Sequence, residues 1–297
     1  MAGRVPPGSR SARADWASVP DMSSWSRPGI VALAALLIGG CNSSGSHDLR
    51  KPTFPADPTF PQQPVPTGVA PAKPQACGRG AHAFWLPGPD GTLLEANSYG
   101  SGPFAAVFLH QAGQLADMCG FWPYAKWLAD RDDVRVVLVN RCTYGRSTCE
   151  LFQSGDDGIV SQVQPAVDWA RRHGARTVTL VGASAGGADA LQAGGVVKHV
   201  AAVVDLSGDS ADTGANDEAD ARRLRVPVLF CIAPGDSVVS VEQVRTRYQL
   251  VPGRDKRLVV VRQSPGAHGW DLLLDPVTGE FTPLARLVAD WITGRRH

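Results

Sequence analysis

The sequence lacks a membrane-spanning segment. Its N-terminal apolar run, "GIVALAALLIGGC" at residues 29–41, is shorter than the ~20 residues needed to cross a bilayer as a helix. It also lacks a charge imbalance: 29 Lys and Arg stand against 28 Asp and Glu, a net charge of +1. That balance argues against a nucleic-acid binder and against a polybasic membrane patch. The basic spots "ARRLR" and "TGRRH" are too short to be more than solvated faces. No cysteine spacing matches a CxxC zinc pair and there is no HExxH, so no metal site is expected. "GASAGG" lacks the G-x-G-x-x-G spacing and no P-loop lysine is present, so no nucleotide cofactor is expected either. No internal repeat is apparent.

What is present begins with an address. The short apolar run follows Arg27 and ends in small residues, as the core of a secretory signal does. Residues 1–40 are therefore read as a signal peptide, with Met22 as an alternative start. Ile38-Gly39-Gly40-Cys41 resembles the lipobox of bacterial lipoproteins, which implies acylation of Cys41 and an outer-face membrane anchor. The competing reading is a soluble secreted protein with a chance cysteine. Residues 42–76 are rich in Pro, Ser and Thr and have no apolar period, so 41–76 reads as anchor cysteine plus extended tether. The globular domain is expected over 77–297, with 43% hydrophobic residues in the whole chain to supply a core.

An exported chain meets oxidising conditions, so disulfides are expected. Cys231 lies inside the apolar run "VPVLFCIA" and reads as a buried thiol. Cys77, Cys119, Cys142 and Cys149 allow two bridges in three pairings, which spacing does not decide.

From residue 82 the pattern alternates. "AHAFWLP" and "GTLLEANSY" read as strands about a "PGPDG" turn. "FAAVFLH", "VRVVLVN", "RTVTLVGAS", "HVAAVVDLSG", "VPVLFCIAPGD" and "RLVVVRQSPG" read as short strands, most of them apolar on both faces. Between them, helices are expected at "GFWPYAKWLADRD", "DDGIVSQVQPAVDWARRHG", "GGADALQAG" and "SVEQVRTRYQL", with a last one at "FTPLARLVADWITGRR". Pro165 sits inside the second of these, where a kink would be unsurprising. This alternation predicts an α/β fold: a mostly parallel sheet with helices on both faces. In such sheets sites form at the carboxyl ends of the strands.

Those ends carry the chemistry. Gly182-Ala183-Ser184-Ala185-Gly186 matches G-x-S-x-G between a buried strand and a helix. Ser184 would sit on a strained turn where side chains two residues either side would collide. The Ala185 N–H, at a helix start, is then placed to hold an oxyanion. The competing reading is a tight strand-to-helix corner. Asp236 follows a later strand and His268 the last one. Singly, Asp236 reads equally as a helix N-cap and His268 as a loop histidine. Jointly they give the chain order Ser, Asp, His, one of the known triad orders. His110-Gln111-Ala112 follows another strand, and the N–H of Gln111 or of Ala112 is a candidate second oxyanion donor.

With "FLHQAG", "NRCTYGRST", "GASAGG", "APGDSVV" and "GAHGW" in this order, the chain resembles the α/β-hydrolase superfamily, and within it the small esterases like dienelactone hydrolases. The resemblance covers about residues 82–295. It implies Ser184 as nucleophile, His268 as base and Asp236 as its orienting partner, acting on a small acyl substrate without a cofactor. Two places depart from the pattern: Gln111 stands where many relatives have glycine, and Cys142 interrupts the glycine-rich loop that begins at Arg141. A Cys142–Cys149 bridge, one of the open pairings, would stiffen that loop. Asp205 and Asp209 are fallback acids. The stretch "DSADTGANDEADARRLR", where many relatives insert a lid, is short and polar, so an open site with little or no cap is expected. Trp122, Tyr124, Trp127 and Trp270 are candidate pocket walls, Trp127 being the one that reads better as packing. The leading expectation is a serine esterase. Amide, peptide or thioester cleavage, acyl transfer, and non-catalytic ligand binding remain alternatives, because fold does not fix substrate.

Overall fold

The computed structural model describes residues 72–114, 116–149, 155–210, 215 and 217–296. The expected signal, Cys41 and most of the tether lie outside them. All the described residues belong to one compact unit.

Eight strands form one sheet. In chain order they are β1 (His82–Pro87), β2 (Leu93–Tyr99), β3 (Phe104–Leu109), β4 (Val134–Val139), β5 (Thr177–Ala183), β6 (Ala202–Leu206), β7 (Val228–Ile232) and β8 (Lys256–Val260). Their spatial order is β1-β2-β4-β3-β5-β6-β7-β8. Only β2 runs against its neighbours; from β4 to β8 all pairs are parallel. The helices are α1 (Trp122–Arg131), α2 (Gly155–Arg172), α3 (Ala185–Val196), α4 (Asp217–Arg223), α5 (Val241–Leu250) and α6 (Pro283–Ile292). Every strand and helix read from the sequence is present, and α2 runs through Pro165 as one helix.

The period of two along each strand divides the core. On β3, Ala105, Val107 and Leu109 pack with α2, α3 and α5, while Ala106 and Phe108 face α1 and α6. On β7, Val228, Phe230 and Ile232 take the first side, and Leu229 and Cys231 the second. A strand buried on both faces cannot alternate with polar residues, which is why these runs are continuously apolar. Each buried Val, Leu or Phe contributes about 1.5–3 kcal/mol. The sheet is thereby a stiff platform whose parallel strands all end on one edge.

Two helices missed or left open by sequence complete the picture. The acidic stretch 217–223 forms α4, too short to give an apolar period of its own. It packs on α3 and α5, with Arg223 bonded to Asp156 of α2 at 2.6 Å. It is the one helix among the described residues between β6 and β7. A 3-10 turn at Gly269–Leu272 follows β8. Disulfides join Cys77 to Cys119 and Cys142 to Cys149, and Cys231 is a buried free thiol. Among the described residues no helix is long and apolar enough to cross a membrane.

Candidate active site

The strand β5 ends at Ala183 and α3 begins at Ala185, leaving Ser184 alone to reverse the chain. It does so at φ 50° and ψ −121°, a conformation that costs a non-glycine residue about 1–3 kcal/mol. Its backbone is held on every side. The Ser184 N–H donates to Leu206 O at 3.0 Å, and Ser184 O accepts from the N–H groups of Gly187 and Asp209 at 2.7 and 3.1 Å. The flanking glycines are required by space. A Cβ on Gly182 would stand 1.9 Å from Gly186 O, and one on Gly186 would stand 2.1 Å from Leu109 O. Ala185 is the first residue of α3, so its N–H has no acceptor within the helix.

Asp236 lies in the loop after β7 and His268 in the loop after β8. His268 Nδ1 stands 2.8 Å from Asp236 Oδ2 and 3.0 Å from Oδ1. The Asp236 carboxylate is fully buried, while the imidazole is 19% exposed. Asp236 also accepts from the N–H groups of Val238 and Val239 at 2.9 and 3.2 Å, a turn that holds the carboxylate still. It is not the cap of α5. Ser240 is, in a reciprocal capping box with Gln243. Gly266 N–H donates to Pro234 O at 2.8 Å and ties the two loops together.

Gly269 brings the third element in. A Cβ there would meet Gln111 Oε1 at 2.2 Å and the Ala183 side chain at 3.4 Å. The histidine loop, the nucleophile strand and the loop after β3 therefore converge on one glycine. Ser184, His268, Asp236, Ala185 and Gln111 are thus brought to one edge of the sheet, together with Ala112, which follows Gln111 in the same loop. Asp205 is elsewhere in kind. It is wholly buried on β6, its Oδ1 accepts from Gly208 N–H at 2.6 Å, and burial pushes its carboxyl up to about 7. Neither it nor Asp209 is bonded to the imidazole of His268, whose acidic partner is Asp236.

The sequence reading missed the support beneath this edge. His110 is completely buried. Its Nδ1 donates to Gln111 O at 2.7 Å and its Nε2 accepts from Arg141 N–H at 3.3 Å, which fixes one neutral tautomer. Burial, with Arg141 adding to it, pushes its pKa down to about 3. Arg141 in turn pairs with Asp189 of α3 at 2.8 Å, with side-chain exposures of 4% and 1%. Tyr144 stands edge-on to His110, with ring centroids 4.6 Å apart, inside the loop closed by the Cys142–Cys149 bridge. One signal was available in the sequence: Asp189 is a lone charge in a helix of small residues, "AGGADALQAGG", and a buried charge there demands a partner.

His110 carries a pH consequence. Its pKa is lowered from 6.5 to about 3 by folding, so the unfolded chain binds a proton that the native protein refuses. The stability it contributes is whole above pH 6.5 and is lost as the pH falls toward 3, at up to about 1.4 kcal/mol per unit. Urea midpoints at pH 7 and pH 4.5 are expected to drop less in His110→Gln than in the wild type. An equal drop in both would show that His110 does not carry this acid sensitivity.

Of the four aromatic candidates, Tyr124 and Trp270 line a cleft of about 110 Å3. Trp127 stacks on Tyr124 and packs on Phe281, as the competing reading had it. Trp122 is 39% exposed and lies against Gly78 in the segment before β1.

Neither protein-family models nor curated proteins give a match to this chain. Solved structures do. An esterase of Pyrococcus furiosus aligns over 76% of this chain and 98% of its own at 14% identity, with a TM-score of 0.59. A His-tagged serine hydrolase involved in carbazole degradation aligns over 72% of this chain and 100% of its own at 16% identity and a TM-score of 0.57. The fold is that of the α/β-hydrolases. A monoacylglycerol lipase of Paleococcus ferrophilus, covering 68% of this chain and 98% of its own at 14% identity and a TM-score of 0.54, shares it. In the strand order the antiparallel β2 and the inverted pair β4-β3 come before the interior strand β5, whose end carries the turn at Ser184.

Proposed function

We propose that the protein is a serine hydrolase that cleaves carboxylic esters through Ser184, His268 and Asp236. The observation that carries this is the His268–Asp236 pair, 2.8 Å long, whose loop meets the strand of a serine held at positive φ. Asp236 occupies Nδ1, which leaves Nε2 as the ring nitrogen free to accept a proton from the serine hydroxyl. The Ser184 oxygen then attacks the ester carbonyl. The carbonyl oxygen, now negative, is held by the Ala185 N–H at the start of α3 and by a second N–H from the loop after β3. The imidazolium returns its proton to the alkoxide as the ester C–O bond breaks. Water, deprotonated by the same nitrogen, releases the acid and restores the serine.

Ala112 supplies that second N–H better than Gln111 does. A trans peptide points its N–H opposite to its C=O. Gln111 O is drawn inward to the buried His110 ring, so the N–H of the same peptide, which belongs to Ala112, points outward. The esterases and serine hydrolases among the structural neighbours support the class of reaction.

A chromogenic series of p-nitrophenyl esters of rising acyl length tests the reading. Turnover of at least one member is expected, together with labelling by a fluorophosphonate probe. Turnover of amide or thioester analogues without any ester would move the chemistry to those bonds. No labelling, under conditions that label a control esterase, would remove the reading altogether.

A further inference from the structure

A cleft lined in part by the residues that follow His268 in the chain has a composition that the ester reaction does not account for. One wall comes from Gly120 and Phe121, in the segment that follows the loop carrying Gln111 and Ala112; the other comes from Trp270, Asp271 and Leu274, just past His268. The aromatic wall is built in. A Cβ on Gly120 would stand 2.3 Å from the Trp270 ring, so only glycine lets that ring lie against the backbone. Phe121 meets Trp270 edge-on, with centroids 5.6 Å apart.

Into this apolar setting the chain places one carboxylate, Asp271. Its N–H donates to His268 O at 3.1 Å, so it sits one turn from the imidazole. Among the described residues its side chain has no ion pair and no hydrogen bond. Burial pushes its carboxyl up, and the neighbouring His268 pulls the other way. A carboxylate set beside apolar and aromatic side chains, with only the imidazole of His268 as a charged neighbour, attracts a cation. Aromatic rings beside it favour a cation as well, particularly one with little hydration, such as a substituted ammonium. The space, about 110 Å3, equals that of a few water molecules and suits a small head group.

We propose that this cleft binds the ammonium group of the substrate's alcohol portion, so that the protein acts on esters of amino alcohols. The proposal rests on the esterase reading above. The alcohol side is chosen because the leaving oxygen takes its proton from His268, and the cleft begins two residues past that ring. Hydrolysis then releases a carboxylic acid and a cationic amino alcohol, with water as the only co-reactant.

The test compares two esters of the same shape, acetylcholine and its uncharged carbon analogue 3,3-dimethylbutyl acetate. The wild type is expected to show kcat/KM about tenfold or more higher for acetylcholine. In Asp271→Asn the ratio is expected to fall toward one, whatever the absolute rates. Tetramethylammonium chloride is expected to inhibit the wild type competitively, and sodium chloride at equal ionic strength much less; this needs no variant to fold. A ratio near one in the wild type, with no tetramethylammonium inhibition, would overturn the proposal and leave the esterase reading intact if p-nitrophenyl acetate is still cleaved. Failure to cleave any ester would remove both.

Discussion

Ser184→Ala is expected to lower ester turnover by about a millionfold in kcat, the loss seen when a triad nucleophile is removed. The fold should survive. The bonds that hold the turn are made by the Ser184 backbone, to Leu206 O and from Gly187, Ala188 and Asp209, and alanine keeps them all. The hydroxyl makes no structural capping bond at the start of α3. Thermal midpoints should therefore stay close while fluorophosphonate labelling disappears. Labelling that persists in the variant at full stoichiometry would place the nucleophile elsewhere.

Asp236→Asn is expected to cost about 10⁴ in kcat at neutral pH with little change in KM. The reason is a proton. The carboxylate accepts from His268 Nδ1, which keeps Nε2 free. An asparagine can turn its NH2 toward Nδ1 and so stabilise the opposite tautomer, in which Nε2 carries the hydrogen and cannot take the serine proton. The loop should persist, because Asn Oδ1 still accepts from Val238 and Val239 as Asp236 does. A loss under tenfold, with unchanged stability, would reduce Asp236 to a turn residue. The competing reading of Asp236 as a helix cap is answered in part by Ser240, which caps α5 by itself.

The elements were legible because two periods coexist in the chain without overlap. Strands buried on both faces read as continuous apolar runs, and α2 shows its buried face at Ile159, Val163, Ala166, Val167 and Ala170. Short polar α4 gave no such signal, since its acidic first turn and basic last turn resemble a solvated loop. The buried Arg141–Asp189 pair was half legible. Asp189 stands out as a lone charge among small residues, but only the meeting of the β4 loop with α3 gives it Arg141 as its partner. The bridges were narrowed to three pairings by counting. Choosing Cys77–Cys119 and Cys142–Cys149 required the distance between α1's entry and the segment before β1, a long-range fact.

The sequence by itself determined the strand and helix order, the glycines around Ser184 and the position of each polar residue at a strand end. Those are local properties: hydrophobic period, turn chemistry and small side chains. Only the tertiary structure decided that His268 Nδ1 meets Asp236 rather than Asp205 or Asp209, that His110 rather than a glycine orients the peptide before Ala112, and that Asp271 lines a cleft with aromatic rings. Each of these is a contact between residues far apart in the chain or a consequence of burial. Burial and through-space charge are set by packing, which no local pattern encodes.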